Sequence, residues 1–537
     1  MTFALLLFAA ALAWLAWVRL HTLLTYYQQE EYNSGRFAAA VLRVRLYDVR
    51  ASAVLLAMFA VRLTVPPTPA GVTILSLTIY AGAALIVAIG WVEKRYAYKK
   101  ALVMTARARR IRNVAVILSL FIIPAALASP LIALLALLAL QLLPLALIAA
   151  NAILSPAQSR ENEGFVTQAR AKLARLDPKR IGITGSFGKT TTKHILAEVL
   201  AISGPVFYSR GSINTVLGLT RHIRERLQWS HRYFIAEMGA YQIGSVARLC
   251  RFVKPDFGIV TAIGDAHTER FGSVENIALA KSELVDAVCR NGGTAIVAAQ
   301  VMQYDPFQML AQDNPGQVVT VGTQDSCDIH IAAAVMQDAA WQVTLVDRRH
   351  NGFGTLSYSL PLLGEHNVMN SALAVAAAVV MDPAIAERIA LVTRDVEQVP
   401  HRLQKRESPG EALVLDDAYN ANEQGFRNAV EVLAQLARQR GGRAIVVTPG
   451  IAELGMEHDR VHAALGEFTA HHADIVYAVN PQRIASFTQS LTAAGKPARE
   501  VANFADARRA LQIEARAQDV ILYENDLPDL LEERRLL

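Results

Sequence analysis

Two hydropathy regimes divide the chain. Up to about residue 153 the apolar residues run together with no short period. Beyond residue 178, short apolar runs alternate with stretches in which apolar residues recur every three or four positions. The first regime predicts membrane helices and the second a succession of buried strands and amphipathic helices. Thr2–Val18 is uncharged and long enough to span with slight trimming. It lacks a basic leading segment and a small-residue cleavage site, so it reads as an uncleaved anchor. Ala51–Val65 is a shorter apolar run interrupted by Arg62, and Gly71–Val92 is a further span. Asn113–Leu154 carries no charge and is too long for one crossing; Ala128-Ser-Pro130 can turn it into a hairpin of two. Five spans result.

Charge orients them. Residues 21–50 carry Arg36, Arg43, Arg45 and Arg50, and residues 93–113 carry Lys94, Arg95, Lys99, Lys100, Arg107, Arg109, Arg110 and Arg112. The alternate connections carry none. Basic loops stay on the cytoplasmic side. The expected arrangement is a multi-pass cytoplasmic (inner) membrane protein, with its N-terminus outside and everything after residue 153 in the cytoplasm. No charge falls in the middle of the four better spans, which argues against a transporter. The hydrophobic fraction of 53% and mean hydropathy of +0.26 come largely from this segment. Much of the basic excess behind the net charge of +6 lies there too, so no nucleic-acid partner is expected; membrane lipid is. Cys250, Cys289 and Cys327 have no metal-like spacing and read as free thiols.

After a polar linker, residues 154–177, the second regime opens on Ile181-Gly-Ile-Thr-Gly-Ser-Phe-Gly-Lys-Thr-Thr-Thr-Lys-His194. A short buried strand, a glycine turn and a helix start make a phosphate cradle: backbone N–H groups and the positive helix end face an anion. Lys189 would reach the outer phosphates, and the Thr190 hydroxyl would ligate Mg²⁺. The first glycine of the usual P-loop is Ile183 here. Tyr233–Gly239 reads as a strand ending on the acid Glu237. Phe257–Ile263 reads as another strand, followed by a loop with His267, and Val274–Val288 as a helix carrying Lys281. Short strands at 328–335, 341–346 and 355–360 suggest an antiparallel meander at a sheet edge, and His366–Val380 a buried helix. Alternating strands and helices predict a parallel sheet with ligands beyond its carboxyl ends. After residue 401, apolar runs at 412–417, 444–448, 474–478 and 519–523, with helices at 423–440 and 460–471, predict a second, Rossmann-like α/β layer. The fold class expected is therefore an α-helical transmembrane domain (1–153) followed by two α/β domains (178–400 and 401–537).

Six ordered stretches sharpen this picture. They are Thr184-Gly-Ser-Phe-Gly-Lys-Thr-Thr191, Glu237-Met-Gly239, Ala266-His-Thr-Glu-Arg-Phe-Gly-Ser273, Ala280-Lys-Ser-Glu283, Gly364-Glu-His-Asn-Val-Met-Asn370 and Asp416-Asp-Ala-Tyr-Asn-Ala-Asn422. Together they resemble the Mur ligase family over roughly residues 178–537. The resemblance implies ATP and Mg²⁺ as cofactors. Gly185, Ser186, Gly188, Lys189, Thr190 and Thr191 would hold the phosphates, and Asn367 and Asn370 the adenine. Arg402, Asp417 and Asn420 would meet the nucleotide as the last domain closes. Thr190, Glu237, His267 and a carbamylated Lys281 would serve the metal ions. Lys189, His267, Lys281 and Arg402 are the implied catalytic set, and Asn214, Tyr419 and Asn422 the implied substrate contacts.

The sequence departs from the family in four places. His401 replaces a glycine, Thr215 the second of two paired asparagines, and Glu423 a proline. A Lys-Gly-Ser stretch after the last strand is here Tyr523-Glu-Asn-Asp-Leu-Pro-Asp529, whose acids would repel a carboxylate. A membrane segment also stands where the family has its UDP-sugar-binding domain. The expected function is ATP-dependent amide formation through an acyl phosphate, joining a D-alanyl-D-alanine-like amine to a muramyl peptide for the cell wall. The partners would be a small-molecule or lipid-linked peptide precursor and other cell-wall synthesis proteins. One alternative is a related ligase on a γ-glutamyl-type polymer or lipid-linked precursor. Another is a non-catalytic ligase-like membrane scaffold.

Overall fold

The computed structural model describes residues 2–43, 49–66, 68–95, 98, 101–119, 140–211, 213–264, 271–337, 340–350, 352–419, 421–452 and 454–527. The chain divides into two compact units, one up to Asn162 and one of Glu163–Asp526.

The first unit is helical. Its described helices are Thr2–Gln29, Ser34–Arg43, Val49–Thr64, Pro69–Lys94, Ala106–Ser119 and the start of Leu143–Leu176. Two are long and apolar enough to cross a membrane, Phe3–Gln29 and Pro69–Lys94. Val49–Thr64, at 16 residues, is shorter. The expected hairpin turn at Ala128–Pro130 lies outside the described residues. Thr68 starts the second long helix by accepting a hydrogen bond from the Gly71 N–H at 3.1 Å, with Pro69 in the first turn. The long helices run past the sequence-read spans and thereby enclose two charges. Arg19 and Glu93 meet at 3.2 Å, with side chains 3% and 2% exposed. Around them pack Leu12, Leu15, Leu23, Ile86, Ile111 and Leu147. The sequence reading of spans without interior charge thus holds only for their trimmed centres. The expected linker is also helical: Leu143–Leu176 passes through Pro156. A proline removes one backbone donor without forcing a long helix to end.

The second unit holds two sheets. The larger contains β1 (Lys179–Thr184), β2 (Val206–Tyr208), β3 (Tyr233–Glu237), β4 (Phe257–Val260), β5 (Thr294–Ala298), β6 (Val318–Gly322), β7 (Ile329–Gln337), β8 (Ala340–Asp347) and β9 (Thr355–Leu360). Their order is β2-β3-β1-β4-β5-β6-β7-β8-β9. Pairing is parallel as far as β7 and antiparallel among β7, β8 and β9, the expected meander. β4 stops at Val260, three residues short of the sequence-read strand, because the chain there turns to hold the glycine loop. Helix Lys189–Leu200 packs beside the buried, alanine-rich helix His366–Met381. Helix Val274–Arg290 approaches β1 at Gly182, where a Cβ would lie 2.8 Å from Leu284.

The smaller sheet contains β10 (Gln404–Arg406), β11 (Leu413–Asp417), β12 (Ala444–Thr448), β13 (Ile475–Val479), β14 (Arg499–Val501) and β15 (Val520–Glu524). Its order is β10-β11-β15-β12-β13-β14, parallel except for β10. Helix Glu423–Arg440 covers it, with Phe426, Val430 and Leu433 in the core.

Candidate active site

The site is built at the carboxyl ends of β1, β3 and β4. After β1 the chain bends through Gly185 (φ 152°) and Gly188 (φ 82°). Both glycines are required sterically. A Cβ would lie 1.9 Å from Thr261 Oγ1 at Gly185 and 2.3 Å from Asn370 Oδ1 at Gly188. The turn is pinned by Ser186, whose N–H donates to the Ala262 carbonyl at 2.7 Å and whose hydroxyl donates to the Gly264 carbonyl at 3.1 Å. The helix from Lys189 then presents its first N–H groups at the mouth of the loop. Lys189 Nζ donates to the Gly185 carbonyl at 2.6 Å and the Ser186 carbonyl at 3.2 Å. Burial, then the charges of Arg402 and Lys193, pull its pKa down to about 8, although Glu237 opposes them.

Glu237 ends β3 and is 1% exposed. One of its oxygens accepts from Thr190 Oγ1 at 3.1 Å and from Lys193 Nζ at 2.9 Å. Lys281, on helix Val274–Arg290, is 4% exposed. Burial first, and the Lys189 charge second, push its pKa well below the ordinary lysine value. The structure thus brings Lys189, Thr190, Glu237 and Lys281 into one electrostatic neighbourhood. An acidic oxygen, a hydroxyl and a lysine amine held toward neutrality are groups that fit a hard cation and a carbamate. His267 and Asn420 lie outside the described residues.

Asn367 and Asn370 sit on the first turns of helix His366–Met381. Asn370 Nδ2 donates to Asn367 Oδ1 at 3.0 Å, and Asn367 Nδ2 to the Leu363 carbonyl at 2.7 Å. A pocket lined by Thr191, Leu362, Leu363, Asn367, Gln398, Val399, Arg402 and Leu403 opens beside them. Its lining is divided between four polar side chains, Thr191, Asn367, Gln398 and Arg402, and four apolar ones. Arg402 enters from the hinge before β10, its guanidinium 4.4 Å from the centre of the Tyr419 ring. Both neighbours are left-handed, His401 (φ 58°) and Leu403 (φ 50°). Strained backbone on both sides of a charged side chain is a mark of a functional position. The strain is held by His401 Nδ1 on Asp416 at 3.0 Å and by the Leu403 N–H donating to Asp417 at 3.1 Å.

Two of the implied substrate contacts, Asn422 and Asn214, have structural duties. Asn422 caps helix Glu423–Arg440 by accepting from the Gly425 N–H at 2.9 Å. Asn214 lies against Gly239, where a Cβ would be 2.8 Å from its amide carbon, and accepts from the Tyr241 hydroxyl at 3.2 Å. Its neighbour Thr215, in place of an asparagine, caps the helix Val216–Arg226. Tyr419 is 48% exposed and open to a ligand.

Two charged residues escaped the sequence reading. Lys193 is fully buried and salt-bridged to Glu237. Glu524, at the end of β15, is in register with Asp417 on β11 and is itself fully buried. Burial and the adjacent Asp417 carboxyl raise the Glu524 pKa far above a normal glutamate, and Asp417 is raised to about 6 chiefly by burial. Of the acids expected from Tyr523–Asp529, Glu524 is buried, and burial disfavours its charged form. Asp526 is exposed and Asp529 lies outside the described residues. Only its burial distinguishes Lys193 or Glu524, and residue type gives no signal of that.

Comparison with known proteins places this geometry. Residues 183–378 match the Mur ligase middle domain, and residues 401–523 match the Mur ligase, glutamate ligase domain. UDP-N-acetylmuramoyl-tripeptide–D-alanyl-D-alanine ligase of Mycobacterium tuberculosis is 33% identical over 335 residues, covering 58% of this chain and 63% of that one. The Escherichia coli enzyme of the same name is 30% identical over 315 residues, covering 58% and 66%. The chain thus spans under two thirds of the length of these relatives. The crystal structure of MurF from Acinetobacter baumannii aligns with a TM-score of 0.56 at 25% identity, covering 68% of this chain and 77% of that chain. MurF from Thermotoga maritima, solved with ADP, has the same fold at TM-score 0.57 and 24% identity, covering 70% and 82%. Through its middle and C-terminal domains, the chain belongs to the Mur ligase family.

Proposed function

We propose that this protein is a membrane-anchored, ATP-dependent ligase that joins D-alanyl-D-alanine to a UDP-N-acetylmuramoyl tripeptide. The observation that carries the reading is the gathering of Lys189, Thr190, Glu237 and Lys281 at the strand ends, with Arg402 in reach of the same charges. The relatives that bear this activity in their names are similar across those segments. We assign residues 1–153 to the anchor, 154–177 to a linker, 178–400 to nucleotide and acyl-substrate binding and 401–537 to the amine side. The two long apolar helices support multi-pass insertion in the inner membrane with the catalytic domains in the cytoplasm.

ATP is held by the Gly185–Thr191 loop and the Asn367–Asn370 pocket, with Asp417 and Asn420 closing from the last domain. Thr190 and Glu237 would hold Mg²⁺, with His267 and Lys281 at a second position, and the ion would supply charge neutralisation for the transferring phosphoryl group. The acyl substrate's carboxylate attacks the γ-phosphate and ADP leaves. Lys189 and Arg402 place two cations where that negative charge develops. The amine then attacks the acyl carbon, the C–O bond to phosphate breaks, and an amide forms. Domain closure about the His401–Leu403 hinge excludes the water that would hydrolyse the acyl phosphate. Lys281 is suited to carbamylation because CO₂ adds to a neutral amine, and burial holds this amine toward neutrality.

A second reading, a related ligase acting on a lipid-linked or γ-glutamyl-type precursor, is favoured by one observation. The helical unit up to Asn162 lies outside both matched domains. The test is product mass and ADP release from full-length protein given ATP, UDP-N-acetylmuramoyl-tripeptide and D-alanyl-D-alanine. A pentapeptide product is expected. ADP release only with other amines or with lipid-linked carboxylates moves the enzyme to the second reading. No release with any of them returns the non-catalytic scaffold.

A further inference from the structure

The residue that stands out once the nucleotide site is described is Lys193. It lies one turn beyond the P-loop lysine and is 0% exposed. Its ammonium makes two bonds to two different elements. One is to the Glu237 carboxylate at 2.9 Å, on the oxygen that also accepts from Thr190. The other is to the Gly211 carbonyl at 2.5 Å, in the loop between β2 and helix Val216–Arg226.

That loop is fastened to the end of β3 at two further points. The Glu237 N–H donates to Ser209 Oγ at 3.5 Å, and the Gly239 N–H donates to the Asn214 carbonyl at 3.0 Å. The loop also carries Asn214, which the family resemblance implies as a substrate contact. Lys193 is therefore the one side chain among the described residues that bonds both to the metal-side carboxylate and to the substrate-side loop.

A fully buried ion pair is seldom retained for stability, because the desolvation of two charges offsets most of their attraction. A hydrophobic residue of similar volume would serve the core as well. What an ammonium adds is a bond with two acceptors that keeps their separation fixed. It also occupies one oxygen of Glu237 and so leaves the other to meet a cation.

We propose that Lys193 is a positioning residue that straps the 209–215 loop to Glu237, so that Mg²⁺–nucleotide binding at the P-loop orders the acyl-substrate loop. By linkage, the acyl substrate then tightens the nucleotide by the same factor. The inference rests on the ligase reading for the identity of the acyl substrate, but the strap itself needs only the nucleotide.

The test is amide hydrogen exchange of residues 206–216 in full-length protein, with and without Mg·ADP, in wild type and Lys193→Met. Methionine keeps the stem and removes the donors. Mg·ADP slows exchange in this segment about threefold or more in wild type, and leaves it unchanged in Lys193→Met, whose bound Mg·ADP is verified by calorimetry. If Lys193→Met does not fold, Lys193→Gln replaces it, since glutamine is too short to reach both acceptors. Protection that persists in either folded variant overturns the proposal. So does a wild-type loop that Mg·ADP, once bound, does not protect. A second titration, Mg·ADP with UDP-N-acetylmuramoyl-tripeptide present, separates the two claims. Failure of the tripeptide to bind sinks the functional reading and leaves the exchange result standing.

Discussion

The two units of this chain handle apolar and charged side chains differently. In Glu163–Asp526 the apolar residues of the strands lie mostly inside, although Trp229, Met456 and Ile513 are exposed. The strands read as continuous buried runs, and β3 is buried at every position. The unit up to Asn162 has an apolar interior too, and in addition a broad apolar exterior. Phe3, Leu6, Leu63, Leu77, Trp91 and Val92 face outward, while Arg19 and Glu93 are enclosed. Among the described residues, each unit also contains one ion pair with both side chains buried. Arg19–Glu93 joins two long helices among apolar side chains, whereas Lys193–Glu237 stands at strand ends beside a P-loop. Hydropathy therefore reports the solvent a segment is built for. An outward apolar surface suits hydrocarbon, and a buried charge takes its meaning from what surrounds it.

The sharpest way to separate the units is to disable one and follow the other. Lys189→Ala removes the cation at the phosphate loop. Product formation is expected to fall about 10³-fold, the scale of losing one preorganised charge in a closed site. Sedimentation with membranes should stay as in wild type. A variant that still turns over within tenfold of wild type would take Lys189 out of the chemistry.

The converse experiment acts on the helical unit. Arg19→Ala leaves Glu93 buried without its partner, which costs about 3 kcal/mol where such pairs have been broken. The expected result is a lowered thermal midpoint for the helical unit in detergent and an unchanged ligase rate. Arg19→Met combined with Glu93→Leu should recover much of the loss, because the pair is then replaced by apolar volume. A fall in ligase rate that tracks the helix melting would show that the units do not act separately.

Within the catalytic unit, Lys281→Ala asks whether the buried amine acts as a carbamate. Activity is expected to drop about 10²-fold, as for loss of one group supporting a metal site. Added acetate or formate should restore part of it by supplying the missing carboxylate. Full activity of the variant without any addition removes the carbamate from the mechanism.

What the sequence made legible follows the same division. Helix Glu423–Arg440 and strands β9 and β12 were readable to the residue, because apolar runs bounded by turn residues leave few alternatives. The P-loop was readable from its glycines, since their φ values and close contacts admit little else. The three-residue strands β2, β10 and β14 were missed; their pairing is decided by neighbouring strands and not by their own pattern. The linker joins the preceding apolar run in one helix, Leu143–Leu176, which continues through Pro156. The buried lysine and the buried glutamate were invisible for a common reason. Charged residue types are expected at the surface, and only three-dimensional packing shows the exceptions.

The smallest expected effect tests that last exception. Burial opposes the charged forms of Glu524 and Asp417, so their folded-state pKa values lie above the unfolded ones. The folded protein then binds more protons than the unfolded chain between about pH 4 and the folded pKa, and stability falls as pH rises across that window. It is fully present below about pH 4 and is being lost as pH passes the Asp417 value of about 6. Glu524→Gln mimics the protonated acid in shape and charge. The variant should equal wild type in unfolding free energy near pH 4 and exceed it by about 1 kcal/mol above pH 6. The melting of the helical unit should not change at either pH. Thermal unfolding followed separately for the two units at several pH values measures this. A variant less stable than wild type at pH 7 would mean that Glu524 is ionised in the fold and bound to a cation, and the acid at the end of β15 would again face the incoming amine.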